Sequence, residues 1–236
     1  SSGTGSEDLD IIKAFVAKGF KTFMLKMGDR PIVDEIKRVQ EVHAHLPEGV
    51  KVMVDANQGW TRNEANDFFS GTEDIPLILV EQPLPASDLD GLHLLKNKFQ
   101  RLVSVDESLQ TPDSVENILK KDAADVFSIK ISKNGGLRSS HDIGKKVAAQ
   151  GKKILMNSMI ELGITQCASL HLGCVFENLM DCGHAYMSTL RTSDDVTNFS
   201  SWIDKGAAKL RDEPGLGVKV DSERINKYLE DEHHGS

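Results

Sequence analysis

Apolar runs short enough to be strands alternate along this chain with amphipathic stretches of helical period, and turn residues separate them. Ser6, followed by Glu7 and Asp8, reads as the N-cap and first turn of a helix that reaches residue 18 and stops at Gly19. Residues 20–27 form an apolar run with Lys26 near its end, closed by Gly28-Asp29-Arg30-Pro31, which predicts a buried strand. Ile36, Val39, Val42 and Leu46 then share one helical face, broken by Pro47-Glu48-Gly49. Further strands are predicted at 50–54, 77–80, 102–105, 126–131 and 154–156, with a last short one at 179–180. The helices between them fall at 61–69, 87–99, 112–121, 137–150 and 164–176, Pro112 suiting a first helical position. Short loops joining strand to helix to strand specify a parallel sheet covered by helices, so the class is α/β. After Gly183 the pattern turns irregular, with a short strand at 218–220 behind Pro214-Gly215-Leu216-Gly217. Residues 1–183 therefore read as a barrel domain and 184–236 as a tail around it.

Composition narrows the function classes. A chain of 236 residues, 39% hydrophobic and 27% charged, has enough apolar content for one large core. The net charge of −8, with no basic cluster on any predicted helix, argues against a nucleic-acid surface. No apolar run approaches the roughly 20 residues that span a bilayer, so no membrane partner is expected. Cys167, Cys174 and Cys182 are odd in number and lack Cys-x-x-Cys spacing, which fits a reducing, cytoplasmic setting without a disulfide framework or structural zinc. Cys167 and Cys174 are expected to be buried packing residues. The closing His233-His234-Gly235-Ser236 is assigned no function.

The chemistry concentrates between residues 54 and 108, where apolar runs end in Asp55, Glu81 and Asp106 at nearly equal intervals. In a parallel barrel each such acid sits at a strand's C-terminal end, where barrel enzymes keep their catalytic groups. Three converging hard oxygen ligands suit Mg²⁺, or Mn²⁺ in its place, with positions left for water and substrate. Any one of them alone could be a helix cap or a solvated loop acid. Lys26 and Lys130 lie on strands flanking the three, on opposite sides of the site. Near a bound cation in a dry barrel mouth, their pKa values are expected to fall toward neutrality, making them proton-transfer groups.

With these residues in place, the sequence resembles the enolase superfamily and, more closely, its muconate lactonizing enzyme subgroup. The segments that carry the resemblance are 19–28 with Lys26, Val-Asp55-Ala-Asn57, Glu81-Gln-Pro83, Asp106-Glu-Ser108, the run from Ile129 and Lys130 to Gly135-Gly136, and Ser158-Met-Ile-Glu161. The resemblance implies a (β/α)7β TIM-like barrel, Mg²⁺ on Asp55, Glu81 and Asp106, and Lys26 and Lys130 acting as acid and base on opposite faces of a small carboxylate substrate. It also implies that Glu161 lies on the substrate side, that Asn57 and Glu107 orient the metal ligands, and that the chain forms a homo-oligomer. Glu161 reads equally as a first-turn helix acid.

Three departures from the family pattern shape the expectation. Met24 stands where the family's first lysine of Lys-x-Lys helps hold the substrate carboxylate. The N-terminal capping domain and most of the first barrel strand are not represented, Ser1 to Gly5 being at most that strand's end. Asp181-Cys182-Gly183-His184 lacks the Asp-x-Asp of dipeptide epimerases. The leading expectation is racemisation or epimerisation of an amino-acid derivative through an ene-diolate. Its alternatives are dehydration of a β-hydroxy acid such as a hydroxyproline, a non-catalytic barrel serving as a partner subunit, and an unrelated flavodoxin-like phosphotransfer sheet.

Overall fold

A computed structural model describes residues 3–184 and 188–231. Its centre is a six-stranded, all-parallel sheet in the order β1 to β6: Thr22–Lys26, Lys51–Asp55, Val80–Glu81, Val103–Val105, Val126–Ile129 and Lys153–Met156. Sequential order without crossover, each strand followed by a helix, is the winding of a (β/α) barrel. The predicted last strand at 179–180 is a single parallel bridge, Leu179 to Ile154, with the Met180 amide donating to the Ile154 carbonyl. The run at 77–80 enters the ladder only at Val80, and Glu81 is itself a strand residue rather than the first loop residue. Residues 218–220 make one antiparallel bridge, Val220 to Thr197, in place of the predicted strand.

The helices start where side chains can satisfy their free amides. The first, α1 (Gly5–Val16), is capped by Thr4 and not by Ser6, because the Glu7 carboxylate reaches back to the Thr4 amide at 2.6 Å. Thr4 and Gly5 therefore belong to a cap and a helix, and Gly3 is not in a strand. Thr61 caps α3 (Arg62–Gly71) in the same reciprocal way with Glu64, Asp88 caps α4 (Leu89–Phe99), and Thr111 caps α5 (Pro112–Lys120). The remaining barrel helices are α2 (Ile32–Ala44), α6 (Gly136–Ala149) and α7 (Gly163–Gly173).

Side chains from the strands' outer faces and the helices' inner faces form the main core, from Leu25, Val54 and Val80 through Phe68, Phe69 and Leu92 to Phe127 and Ile143. A smaller cluster of Met53, Leu79, Val126 and Leu155, with Met24, Met180 and Cys182 against it, comes from the other face of the same strands. Alternation along a strand separates these two sets. Cys167 is buried, but Cys174, at the end of α7, is exposed and is not a packing residue. The segment after α7 contributes α8 (Ser188–Arg191), a 3-10 turn (Phe199–Trp202), an antiparallel pair β7 (Ile203–Asp204) and β8 (Ala207–Ala208), and α9 (Ser222–Asp231). It packs on α7 through Phe199, Trp202, Cys167 and Leu170. No helix among the described residues is long and apolar enough to cross a membrane. The closing His233-His234-Gly235-Ser236 lies outside the described residues, as do Ser1 and Ser2.

Candidate active site

The strand ladder sets the site before any side chain is considered. Lys26 is in register with Asp55, and Asp55 with Glu81, so three candidate site residues stand side by side at the C-terminal edge of β1, β2 and β3. Asp106 follows β4 directly and Lys130 follows β5. Asp55, Glu81, Asp106 and Lys130 are all buried, whereas the Lys26 side chain is 47% exposed.

Each carboxylate has a defined partner set. Asp55 takes a hydrogen bond from the Lys26 ammonium and, at Oδ1, one from the Asn57 amide at 2.9 Å. The Asn57 side-chain amide donates to Asp55 Oδ2 at 3.2 Å and to Glu107 Oε1 at 3.3 Å, so Asn57 bridges Asp55 and Glu107. Glu81 receives the Ser128 hydroxyl at 2.5 Å and the Asn157 amide at 2.9 Å. Asp106 faces two ammoniums: Lys130 Nζ on Oδ2 at 2.5 Å, and Lys133 Nζ on Oδ1.

These pairings decide the electrostatics. Burial, together with the negative charges of Asp55 and Asp106, pushes the Glu81 carboxyl well above the ordinary carboxylate range despite the Ser128 hydrogen bond. Burial and Asp106 likewise raise Glu107. With no cation beside it, Lys130 is lowered by burial, but attraction to Asp106, Glu81 and Asp55 outweighs burial and holds it above an ordinary lysine. Lys133 goes the other way, because its burial outweighs Asp106 and the Lys130 charge adds to the fall.

Glu161 is not a first-turn residue, since α7 begins at Gly163. Its carboxylate accepts from Ser132 at 2.7 Å, from Ser158, and from Gln166 at 3.3 Å. Those hydrogen bonds overcome partial burial and keep it below the ordinary glutamate range. Met24 lies one inward position below Lys26, against the Met53–Leu155 cluster and away from the acids.

Sequence reasoning missed Lys133, Ser128, Asn157 and Gln82. Gln82, fully buried at φ 35°, accepts from the amides of Asp106 and Ser108 at 3.0 and 3.1 Å and so shapes the turn that carries Asp106. Ser128 was detectable: a serine two residues before Lys130 in an apolar strand points to the same side as the lysine. Lys133 is brought back by a turn in which the amides of Lys133 and Asn134 both bond the Lys130 carbonyl.

Among the described residues, no three acidic, histidine or cysteine side chains close on a common point at ligating distance. Yet three carboxylates on consecutive strand ends, with Glu81 raised by the charges of the other two, form an oxygen set with an excess of negative charge, which a hard divalent cation fits. A cavity of about 260 Å³ at the ends of β1 and β2 is lined by Lys26, Met27, Gly28, Asp29, Ala56 and Asn57.

A parallel (β/α) sheet with acids at successive strand ends and lysines on either side defines a class of barrel domain. The chain belongs to the family described as enolase C-terminal domain-like, which it matches over residues 9–225. It is 28% identical over 227 residues to muconate cycloisomerase 1 of Acinetobacter baylyi, spanning 95% of this chain and 61% of that protein. It is 32% identical to the L-Ala-D/L-Glu epimerase of Bacillus subtilis, spanning 86% of this chain and 56% of the relative. Among solved structures, the muconate lactonizing enzyme from Pseudomonas putida superimposes with a TM-score of 0.91 at 24% identity, over 97% of this chain and 64% of that one. The chain thus spans somewhat under two thirds of the length of these relatives.

Proposed function

We propose that this chain is the barrel part of an enzyme that removes the α-proton of a small carboxylate, an amino-acid derivative, and returns it on the other face. The observation that carries the reading is the bracketing of three buried strand-end carboxylates by Lys26 on β1 and Lys130 after β5. Two proton-transfer groups on opposite edges are what inversion at one carbon requires. Two relatives named as an epimerase and a racemase, the latter for N-succinyl-L-Arg/Lys, support the same reaction class.

In this reading Asp55, Glu81 and Asp106 hold a divalent cation, Mg²⁺ or Mn²⁺, while Asn57 and Glu107 keep Asp55 oriented. Bound there, the ion would balance their charge and acidify the α-carbon of a carboxylate ligand. Lys130, an ammonium among carboxylates, is set to deliver a proton, and Lys26 serves the opposite face. Lys133 supplies a third positive charge at the mouth, where Met24 offers none. Glu161, with three donors on its carboxylate, stands on the substrate side as an acceptor. The closed (β/α)7β barrel and the homo-oligomer belong to this proposal as well.

Incubation in deuterated water with Mg²⁺ and a panel of L-Ala-L-Glu, N-succinyl-L-lysine, cis,cis-muconate and a hydroxyproline tests it. α-Proton exchange of an amino-acid derivative, abolished by Lys26→Ala together with Lys130→Ala, is expected. Loss of water from hydroxyproline would make the enzyme a dehydratase, and no reaction of any probe would overturn the proton-transfer reading.

A further inference from the structure

The face that α2 turns inward is unusual for a barrel helix, because it carries charge. Its buried residues are Glu35, Arg38, Val39 and Val42, with Glu35 fully buried and Arg38 only 3% exposed. Spacing of three places Glu35 and Arg38 on adjacent turns of one face. Arg38 Nε donates to Asp8 Oδ2 of α1 at 2.6 Å, and its Nη1 donates to the backbone carbonyl of Lys26 at 2.8 Å. Glu35 accepts the amide of Gly28 at 2.6 Å through Oε1 and the indole N–H of Trp60 at 2.6 Å through Oε2. Three of these four contacts fall on Lys26 and Gly28, where the chain leaves β1, and on Trp60 in the loop after Asp55.

The backbone there has little freedom otherwise. Gly28 sits at φ +97°, and a Cβ on it would run into the Ala56 carbonyl. Met27 donates to the Asp55 carbonyl at 2.7 Å. The end of β1 is thus pinned from one side by β2 and from the other by a glutamate and an arginine of α2.

A fully buried ion pair is a poor source of stability, since apolar residues of similar volume do about as well once desolvation is counted. Asp8 Oδ1 is buried and has no hydrogen-bond partner among the described residues, which weakens the stability role further. What the pair does supply is direction: a planar fork that reaches a carboxylate and one particular carbonyl together.

We propose that Arg38, oriented by Asp8, and Glu35 are positioning residues for Lys26, fixing the Lys26 carbonyl and the Gly28 amide so that the Lys26 ammonium reaches one face of the substrate. The inference rests on the reading of Lys26 as a proton-transfer group. It places a determinant of that reaction on the inward face of α2, behind the end of β1 and out of reach of substrate.

The test compares the parent chain with the paired variant Asp8→Leu/Arg38→Met, which replaces the ion pair by apolar volume, and with Arg38→Lys, which keeps a cation beside Asp8 but not the fork. Hydrogen exchange read by mass spectrometry is the first measurement. Exchange at Met27 and Gly28 should rise by about tenfold or more in both variants while the β1 and β2 strand amides stay protected. Unchanged exchange at those two residues, or a uniform rise along the chain, overturns the proposal. The second measurement is α-proton exchange from each enantiomer of whichever panel compound the parent turns over. Exchange on the face lost in Lys26→Ala should fall by about tenfold to a hundredfold in the variants, with the Lys130 face retained. An equal fall on both faces, or none, overturns the positioning role. A parent inert toward every probe would instead overturn the proposed function and with it the link to Lys26, leaving the exchange result to decide whether α2 pins the strand end.

Discussion

At the scale of single residues, the site is held by polar side chains that are themselves buried and doubly engaged. Gln82 is the clearest case: its side chain accepts from the Asp106 and Ser108 amides and donates to Ser108 Oγ at 2.9 Å and the Leu84 carbonyl at 3.0 Å. Gln82→Met should cost about 2–4 kcal/mol in denaturant unfolding, from roughly 1–2 kcal/mol for each stranded amide. Gln82→Glu, which keeps the oxygen that accepts both amides but sets a buried carboxylate against the Leu84 carbonyl, should cost at least as much. Glu81 yields a second expectation, tied to pH. Its folded pKa is raised, so the folded state binds the proton more tightly than the unfolded chain does. Stability from this group is then present at low pH and is lost as pH climbs from the unfolded value of about 4.5 toward the raised folded value. In EDTA at pH 7, Glu81→Gln should therefore melt above the parent, with the gap closing below pH 4.5. Saturating Mg²⁺ should reverse the order, because a cation held by the folded carboxylates stabilises only the parent. A parent whose melting temperature ignores Mg²⁺ would speak against the three-carboxylate site.

Among the elements, α7 depends on a residue far along the chain. Its preceding residue Leu162 cannot cap it, and instead Asp195 accepts from the Gly163 amide at 3.1 Å and from Thr197 at 3.0 Å. Asp195→Ala should cost about 1–2 kcal/mol, the usual value of a lost N-cap, and speed exchange at Gly163. Ser188 also donates to the Glu161 carbonyl at 2.9 Å, so the segment after residue 184 supports the loop that carries Glu161. None of this was legible in the sequence, because no local pattern links Asp195 to Gly163. The elements that local physics decides were read well: a helix starting about residue 61, the proline start at Pro112, and the strand runs that end at Asp55 and lead to Asp106. Where charge was buried, periodicity misled. The face predicted for α2 was Ile36, Val39, Val42 and Leu46, but Glu35 and Arg38 are buried while Ile36 and Leu46 are only partly so, Leu46 lying beyond the helix. An apolar count cannot find a helix face whose core partners are a backbone carbonyl, an amide and an indole. The acids and the two flanking lysines could be found because each ends a run. Lys133 could not, because its role comes from a turn that folds back across the strand end, and Gln82 and Asn157, directly after β3 and β6, carry no charge to single them out.

The whole molecule is expected to carry an acid sensitivity of its own, separate from the strand-end carboxylates. His184, just after the Leu179 bridge, packs its ring against Gly173 at the end of α7, where a Cβ would collide with the imidazole. Burial pushes it down to about 4, so it is neutral in the folded state at any pH near 7. The unfolded chain has an ordinary histidine near 6.5. A depressed histidine adds nothing unfavourable above 6.5; as pH falls below that value, the unfolded state gains protons that the folded state refuses, and stability drops until pH 4. The contact joins the seventh strand run to α7, so protonation should loosen the barrel at that seam rather than at Asp106 or Lys130. His184→Gln, an uncharged side chain of similar reach, should flatten the melting temperature between pH 6.5 and 4 relative to the parent while lowering it somewhat at pH 7. Melting curves of the two proteins across that window decide the matter: parallel pH profiles would move the acid sensitivity away from His184 and onto the carboxylates of the barrel mouth.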